Sequence, residues 1–176
     1  AAFVLAFAQR YHGDYSTGLS VRIGTLGYAL PGSVLAVGVM LSLTWFDNRL
    51  ADAVEWLTGS DVGLLLSGTL VTLLMAYFAR FLAVAYGPVD SSLERIRPSL
   101  HDAARSLGAG QWEMVWRVYL PMLRPGLLTA GLLVLVDVMK EMPATLLLRP
   151  FGWDTLAVRI YELTSEGEGE RAALPA

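Results

Sequence analysis

The chain has 176 residues, 55% of them hydrophobic and 16% charged, with a net charge of −3. A soluble globular domain carries about 25% charged residues, so this composition is that of a membrane protein, and the small acidic charge gives nucleic acid no footing. There is no cysteine, which excludes disulfides, thiolate nucleophiles and cysteine-held metals, and two histidines, His12 and His101, are too few for an all-histidine metal cage in one copy.

The chain opens inside an apolar run, residues 1–9, with no basic segment ahead of it. It does not read as a secretory signal. It reads as the tail of a membrane helix whose start is missing. The first full span is expected at residues 23–43, which carry no charged side chain and meet the roughly 20 apolar residues needed to cross a bilayer core. Pro31-Gly32 is the expected kink, and the glycines at 24, 27, 32 and 38 suit either close helix packing or a hinge. Residues 45–61 read as a polar connector, with Trp45, Phe46 and Trp56 as interfacial aromatics and 48–57 as a short surface helix.

The second span is expected at 62–86, ended by Gly87-Pro88. Arg80 lies near one end of it. Its stem can snorkel to the interface, or its charge can face a cavity or meet an acidic partner.

Residues 87–124 form the hydrophilic section. Ser91 or Ser92 is a candidate cap for a short helix through Arg97. Ser99 is a candidate cap for a second, over 100–107, with Asp102 as its acidic third residue and Gly108 as its stop. Ala103 and Ala104 give that helix a small-residue face able to sit close to another protein. A further short helix holds Trp112, Val115, Trp116 and Tyr119, limited by Pro121 and Pro125.

The third span is expected at 125–142, with Pro125 in its first turn. Asp137 lies inside it and Lys140-Glu141 close it. An ionisable group at that depth is a functional-site hypothesis by default. The alternative for Asp137 is a structural pair with Lys140 or Arg80. Beyond it, 144–148 is too short to span. Residues 153–163 suit an amphipathic helix with Leu156, Ile160 and Leu163 on one side, and 166–171 an exposed, mobile stretch.

Arginine counts give an orientation. Section 87–124 carries Arg95, Arg97, Arg105, Arg117 and Arg124, and 10–22 carries Arg10 and Arg22, whereas 45–61 has only Arg49. The first two are therefore expected on the cytoplasmic side, and 45–61 with the region past 142 outside. No phosphate-cradling loop ending in Gly-Lys-Ser or Gly-Lys-Thr occurs, so nothing here is expected to split ATP. No hydrolase-like set of serine, histidine and aspartate stands out, so no catalytic residue, cofactor or resident metal is expected.

Asp102-Ala103-Ala104, three residues, Gly108, nine residues and Val118-Tyr119-Leu120-Pro121 resemble the Glu-Ala-Ala loop of binding-protein-dependent ABC importer permeases. Asp102 and Val118 are conservative departures. The segments 26–38 and 139–167 resemble the iron(III) importer permeases, and the chain resembles part of their C-terminal half. The resemblance implies an all-α, polytopic, MetI-like transmembrane bundle, here partial, in the bacterial inner membrane. It also implies that Asp102, Ala103, Ala104, Gly108, Leu120 and Pro121 belong to a loop that couples to a cytoplasmic ABC ATPase dimer. A periplasmic substrate-binding protein and a second permease half, fused or separate, are the other implied partners. Arg80, Asp137, Lys140 and Glu141 are then candidates for the translocation path. Thiamine, sulfate, polyamine and 2-aminoethylphosphonate permeases are similar relatives. An ion-gradient-driven transporter or a membrane scaffold is the rival class, since broken helices and intramembrane charges occur in carriers too.

Overall fold

The computed structural model describes residues 1–60 and 63–173, and among these there is no strand. The helices are α1 (Ala2–His12), α2 (Tyr15–Thr25), α3 (Gly32–Thr58), α4 (Leu70–Glu94), α5 (Pro98–Ser106), α6 (Gln111–Met114), α7 (Leu120–Lys140), α8 (Pro143–Leu148), α9 (Leu156–Ser165) and α10 (Gly169–Ala172). Among the described residues, α3, α4 and the run Trp112–Lys140 are long and apolar enough to cross a membrane, with 27, 25 and 29 residues. At 1.5 Å per residue each exceeds the roughly 30 Å of a bilayer core.

Several boundaries differ from the sequence expectation. Residues 23–43 are not one kinked helix. Helix α2 stops at Thr25, a 3₁₀ turn covers Leu26–Ala29, and Pro31 takes an extended backbone (φ −55°, ψ 137°) before α3 starts at Gly32. Pro31-Gly32 is therefore a helix start rather than a kink. Proline has no N–H to continue a helix, but its fixed φ suits the entry to a new one. Helix α3 then runs through the supposed connector, because nothing before Gly59 stops it. Gly59 adopts φ +69° and donates its N–H to the Glu55 carbonyl at 2.7 Å, a left-handed termination open to glycine.

Helix α4 begins at Leu70 and continues past Gly87-Pro88 to Glu94. Asp61 and Val62, the expected start of that span, lie outside the described residues. Helix α7 begins at Leu120, so Pro125 sits inside it rather than in its first turn. Between α6 and α7 the backbone widens into a π-turn over Val115–Tyr119, where the Leu120 N–H reaches back to the Val115 carbonyl. Pro121 cannot donate to the carbonyl four residues earlier, and a π-turn is one way a helix absorbs such a missing bond.

The chain divides into two compact units. The first comprises Ala1–Tyr28 and Phe81–Val136. Its core is Ala6, Val89, Leu93, Ile96, Met114, Tyr119, Leu123 and Ala130. Phe7 meets Tyr119 edge-on at 5.5 Å, a favoured aromatic geometry. Helices α4 and α7 approach closely at Gly126. A Cβ added there would lie 2.9 Å from the Pro88 carbonyl oxygen and 2.7 Å from the Ser92 Cβ, so only glycine permits that approach.

The second unit comprises Ala29–Arg80 and the chain from Asp137 onward. Leu35 and Ala36 of α3, Leu73 and Ala76 of α4, and Ala144 and Leu148 of α8 form its core. Helix α9 buries Val158 and Leu163 while Leu156 stays exposed, so its inner face is not the stripe expected. The 166–171 stretch leads into α10, which buries Ala172. Arg149, just past α8, pairs with Asp154 and with Glu162 of α9.

Candidate functional site: an outward-facing short helix and a buried ion pair

The first candidate lies in the first unit. Helix α4 ends at Glu94, and Ile96 is buried, with its N–H on the Leu93 carbonyl at 3.0 Å and its own carbonyl accepting from the Arg10 guanidinium at 2.5 Å. That pins the turn from which α5 departs. Arg97, not Ser99, occupies the cap position, with an extended backbone, and Pro98 opens the helix. Asp102 therefore sits too far along to complete a capping box. Nor does a separate helix run from Ser91 to Arg97, since both serines belong to α4.

The end of α5 is as the sequence suggests, and its cause is visible. Gly108 takes φ +85°. Its N–H donates to the Arg105 carbonyl at 2.9 Å, and the Ala109 N–H donates to the Ala104 carbonyl at 3.1 Å. This pair of bonds is a Schellman closure, with Gly108 at its left-handed position. Ala104 and Ala109 both pack against the core of the unit, which supplies the apolar contact such closures usually carry. The two alanines of the motif thus part company. Ala104 faces inward, while Asp102 and Ala103 are exposed. Tyr119 is buried, Leu120 opens α7, and Pro121 is exposed in its first turn. Leu107, Trp112 and Trp116 are also exposed, at 88%, 78% and 63%. Large apolar groups so placed mark a surface that meets lipid or another protein.

The second candidate lies in the second unit. Arg80 Nε lies 2.9 Å from Glu141 Oε2, with the two side chains 17% and 6% exposed. The same guanidinium donates to the Leu30 carbonyl at 2.9 Å. The other carboxylate oxygen of Glu141 accepts from the Ala144 N–H at 3.1 Å, so it caps the first turn of α8. Thr145 donates to the Glu141 carbonyl at 2.8 Å and lies 2.5 Å from the Tyr77 hydroxyl. Since the threonine proton is committed, Tyr77 is the donor in that contact. A Cβ at Gly32 would stand 2.6 Å from Glu141 Oε1, so glycine at the start of α3 leaves room for the carboxylate.

Of the four charged residues singled out from the sequence, the structure brings Arg80 and Glu141 together. The pairing alternative for Arg80 is the one found. Asp137 is half-buried and Lys140 exposed near the end of α7, and among the described residues neither enters an ion pair. Sequence reasoning missed Asp47. It is fully buried on α3 and accepts the N–H groups of Leu65, Leu66 and Ser67 at 2.9, 2.8 and 2.7 Å. Its signal was present as an acidic residue between the apolar positions of a long helix. No group of three metal-ligating side chains occurs among the described residues.

Three apolar helices of membrane-crossing length among the described residues, with large apolar side chains left exposed along the chain, define a polytopic α-helical membrane protein. The chain belongs to the family of binding-protein-dependent transport system inner membrane components, whose sequence profile matches residues 1–167. That family assignment makes it part of an inner-membrane component of a transport system.

Among curated relatives, "Putative 2-aminoethylphosphonate transport system permease protein PhnV" of Salmonella typhimurium is 38% identical over 102 residues, 58% of this chain and 38% of that protein. "Fe(3+)-transport system permease protein FbpB 2" of Haemophilus influenzae is 30% identical over 167 residues, 95% of this chain and 30% of the relative. "Sulfate transport system permease protein CysW" of Synechocystis is 31% identical over 146 residues, 82% of this chain and 49% of the relative. The chain spans no more than half the length of these three proteins.

Proposed function

We propose that the chain is the membrane-embedded part of an ATP-driven importer of iron(III), working by alternating access. A separate ATPase dimer would supply the energy and a periplasmic binding protein the substrate. The carrying observation is α5, a short helix closed at Gly108 between two membrane-length segments, with Asp102 and Ala103 facing outward. The flanking arginines favour the cytoplasmic side. A helix in that position is suited to fit a groove on a motor subunit and to pass its movement to α4 and α7. A second permease half, fused or separate, would complete the path.

Iron(III) is favoured over the other substrates because the likeness to the Fe(3+) permease extends over 95% of the chain, against 82% for the sulfate and 58% for the 2-aminoethylphosphonate relative. Iron here is cargo, delivered by the binding protein. Asp137, Lys140 and Glu141 belong, in this reading, near the external part of the path, and Arg80, paired with Glu141, to its wall.

The test is uptake in a strain lacking the full-length protein, complemented with it and assayed with radiolabelled iron(III), 2-aminoethylphosphonate, thiamine and sulfate. Restored iron(III) uptake is the expected result. Restoration of another substrate alone would reassign the cargo. Uptake that continues without an ATPase partner and collapses with the proton gradient would overturn the importer reading itself.

A further inference from the structure

An open recess of about 440 Å³ in the first unit lies between the turn after α4, the start of α5 and the first turn of α7. Its lining is Arg95, Arg97, Ser99, Leu100, Ala103 and Met122. We propose that it binds a phosphate-ester anion, the headgroup of an anionic phospholipid being the source its surroundings favour.

The two arginines leave an anchored stretch of backbone. They flank Ile96, which is buried at 3% exposure and tied at both its N–H and its carbonyl. Pro98 restricts Arg97 to an extended conformation. Arg95 and Arg97 are thus presented to one recess from an anchored turn. Among the described residues no ion pair engages either of them. The acidic neighbours Glu94 and Asp102 do not line the recess. Two arginines and the Ser99 hydroxyl line one recess, and guanidinium forks suit the oxygen-rich face of a phosphate group.

The remainder of the lining is apolar. Leu100 and Met122 would be poor company for a fully hydrated anion but suit the glycerol and upper acyl region of a lipid. The recess also sits just past the end of the membrane-length helix α4, beside the first turn of α7. Basic groups beside a membrane segment attract anionic lipid.

The experiment uses the full-length protein in nanodiscs of mixed phosphatidylcholine and phosphatidylglycerol, with retained lipid read by native mass spectrometry. Wild type should prefer phosphatidylglycerol by about 30-fold, each arginine contributing about fivefold. R95Q/R97Q should approach parity, while R124Q, outside the recess, should keep the preference. In parallel, a photoactivatable phosphatidylglycerol should label the peptide spanning 95–103 in wild type, a readout that needs no variant. Inorganic phosphate is the competing probe. If it binds wild type at low millimolar concentration, needs Arg95 and Arg97, and displaces the lipid, the anion site stands and its ligand is a soluble phosphate. Equal retention of both lipids by wild type, unchanged preference in R95Q/R97Q, or labelling confined to other segments would overturn the proposal.

Discussion

Arg80 on α4 and Glu141, one residue beyond α7, lie 2.9 Å apart, and the same carboxylate that meets the arginine also caps the first turn of α8. One acidic side chain thus ties three pieces of the second unit: α4, α8 and, through the Arg80 bond to the Leu30 carbonyl, the entry to α3. Breaking a buried pair leaves an uncompensated charge and costs about 3–5 kcal/mol, whereas replacing both partners with apolar groups can be nearly neutral. Arg80→Ala and Glu141→Ala should each lower the thermal midpoint of the full-length protein in detergent strongly. Arg80→Met with Glu141→Leu should recover most of the loss. If the recovered double variant no longer transports, the pair serves the path as well as the fold. If both single variants melt like wild type, the pair is not the tie described.

The α4–α7 approach at Gly126 gives a sharper steric prediction. Gly126→Ala places a methyl 2.9 Å from the Pro88 carbonyl oxygen, an overpacking that costs about 1–3 kcal/mol. Gly131→Ala, five residues along α7 with nothing within 4 Å of the added carbon, should leave unfolding unchanged or slightly improved. Equal behaviour of the two variants in a denaturant or thermal series would contradict the packing.

The short helix α5 separates two effects that substitutions there would otherwise confuse. Ala103→Glu changes an exposed position and should leave the fold intact while reducing co-purification of the proposed ATPase. Ala104→Glu drives a charge toward the core of the first unit, so its main effect should be loss of folded protein. Gly108→Val forces a β-branched residue to φ +85°, where even an ordinary L-residue is disfavoured by roughly 1–2 kcal/mol. It should fray the end of α5 in hydrogen exchange. Intact ATPase capture by well-folded Ala103→Glu protein would count against the proposed docking face.

Asp47 predicts a local effect. Its carboxylate accepts three backbone N–H groups. An asparagine in its place, with a single acceptor oxygen, would leave part of this unmet, at a cost of about 1–3 kcal/mol. Asp47→Asn should speed amide exchange at Leu65, Leu66 and Ser67 without altering exchange in α9. Unchanged protection at 65–67 would mean that the loop is held by other means.

The extent to which the sequence reveals this structure differs by element. Apolar length signalled three full membrane-length segments but not their limits, because that length is set by bilayer thickness and needs no knowledge of neighbours. The end of α5 at Gly108 was legible because a left-handed turn leaves few alternatives to glycine. Helix limits near proline were not. Pro88 read as a helix end and Pro125 as a helix start, yet both lie inside helices, where packing and the cost of unmet backbone groups in lipid override propensity. Pairings were also out of reach. Arg80 and Glu141 are far apart in the chain, and only the tertiary fold selects Glu141 over Asp137. The inward turn of Ala104 against the outward turn of Ala103 follows from the packing of Ala104 on the core of the first unit, which no local pattern records.

The π-turn at Val115–Tyr119 has a consequence for the segment that precedes it. It inserts one residue into the helical spiral, so everything before Val115 is rotated by about 100° from where an uninterrupted helix would place it. A helical wheel drawn in one sweep from Trp112 to Lys140 would assign Trp112 to the wrong azimuth relative to Leu123 and Gly126. Tightening the turn back to ordinary helix would swing that indole around the axis of α7 while the residues that pack on α4 stay where they are.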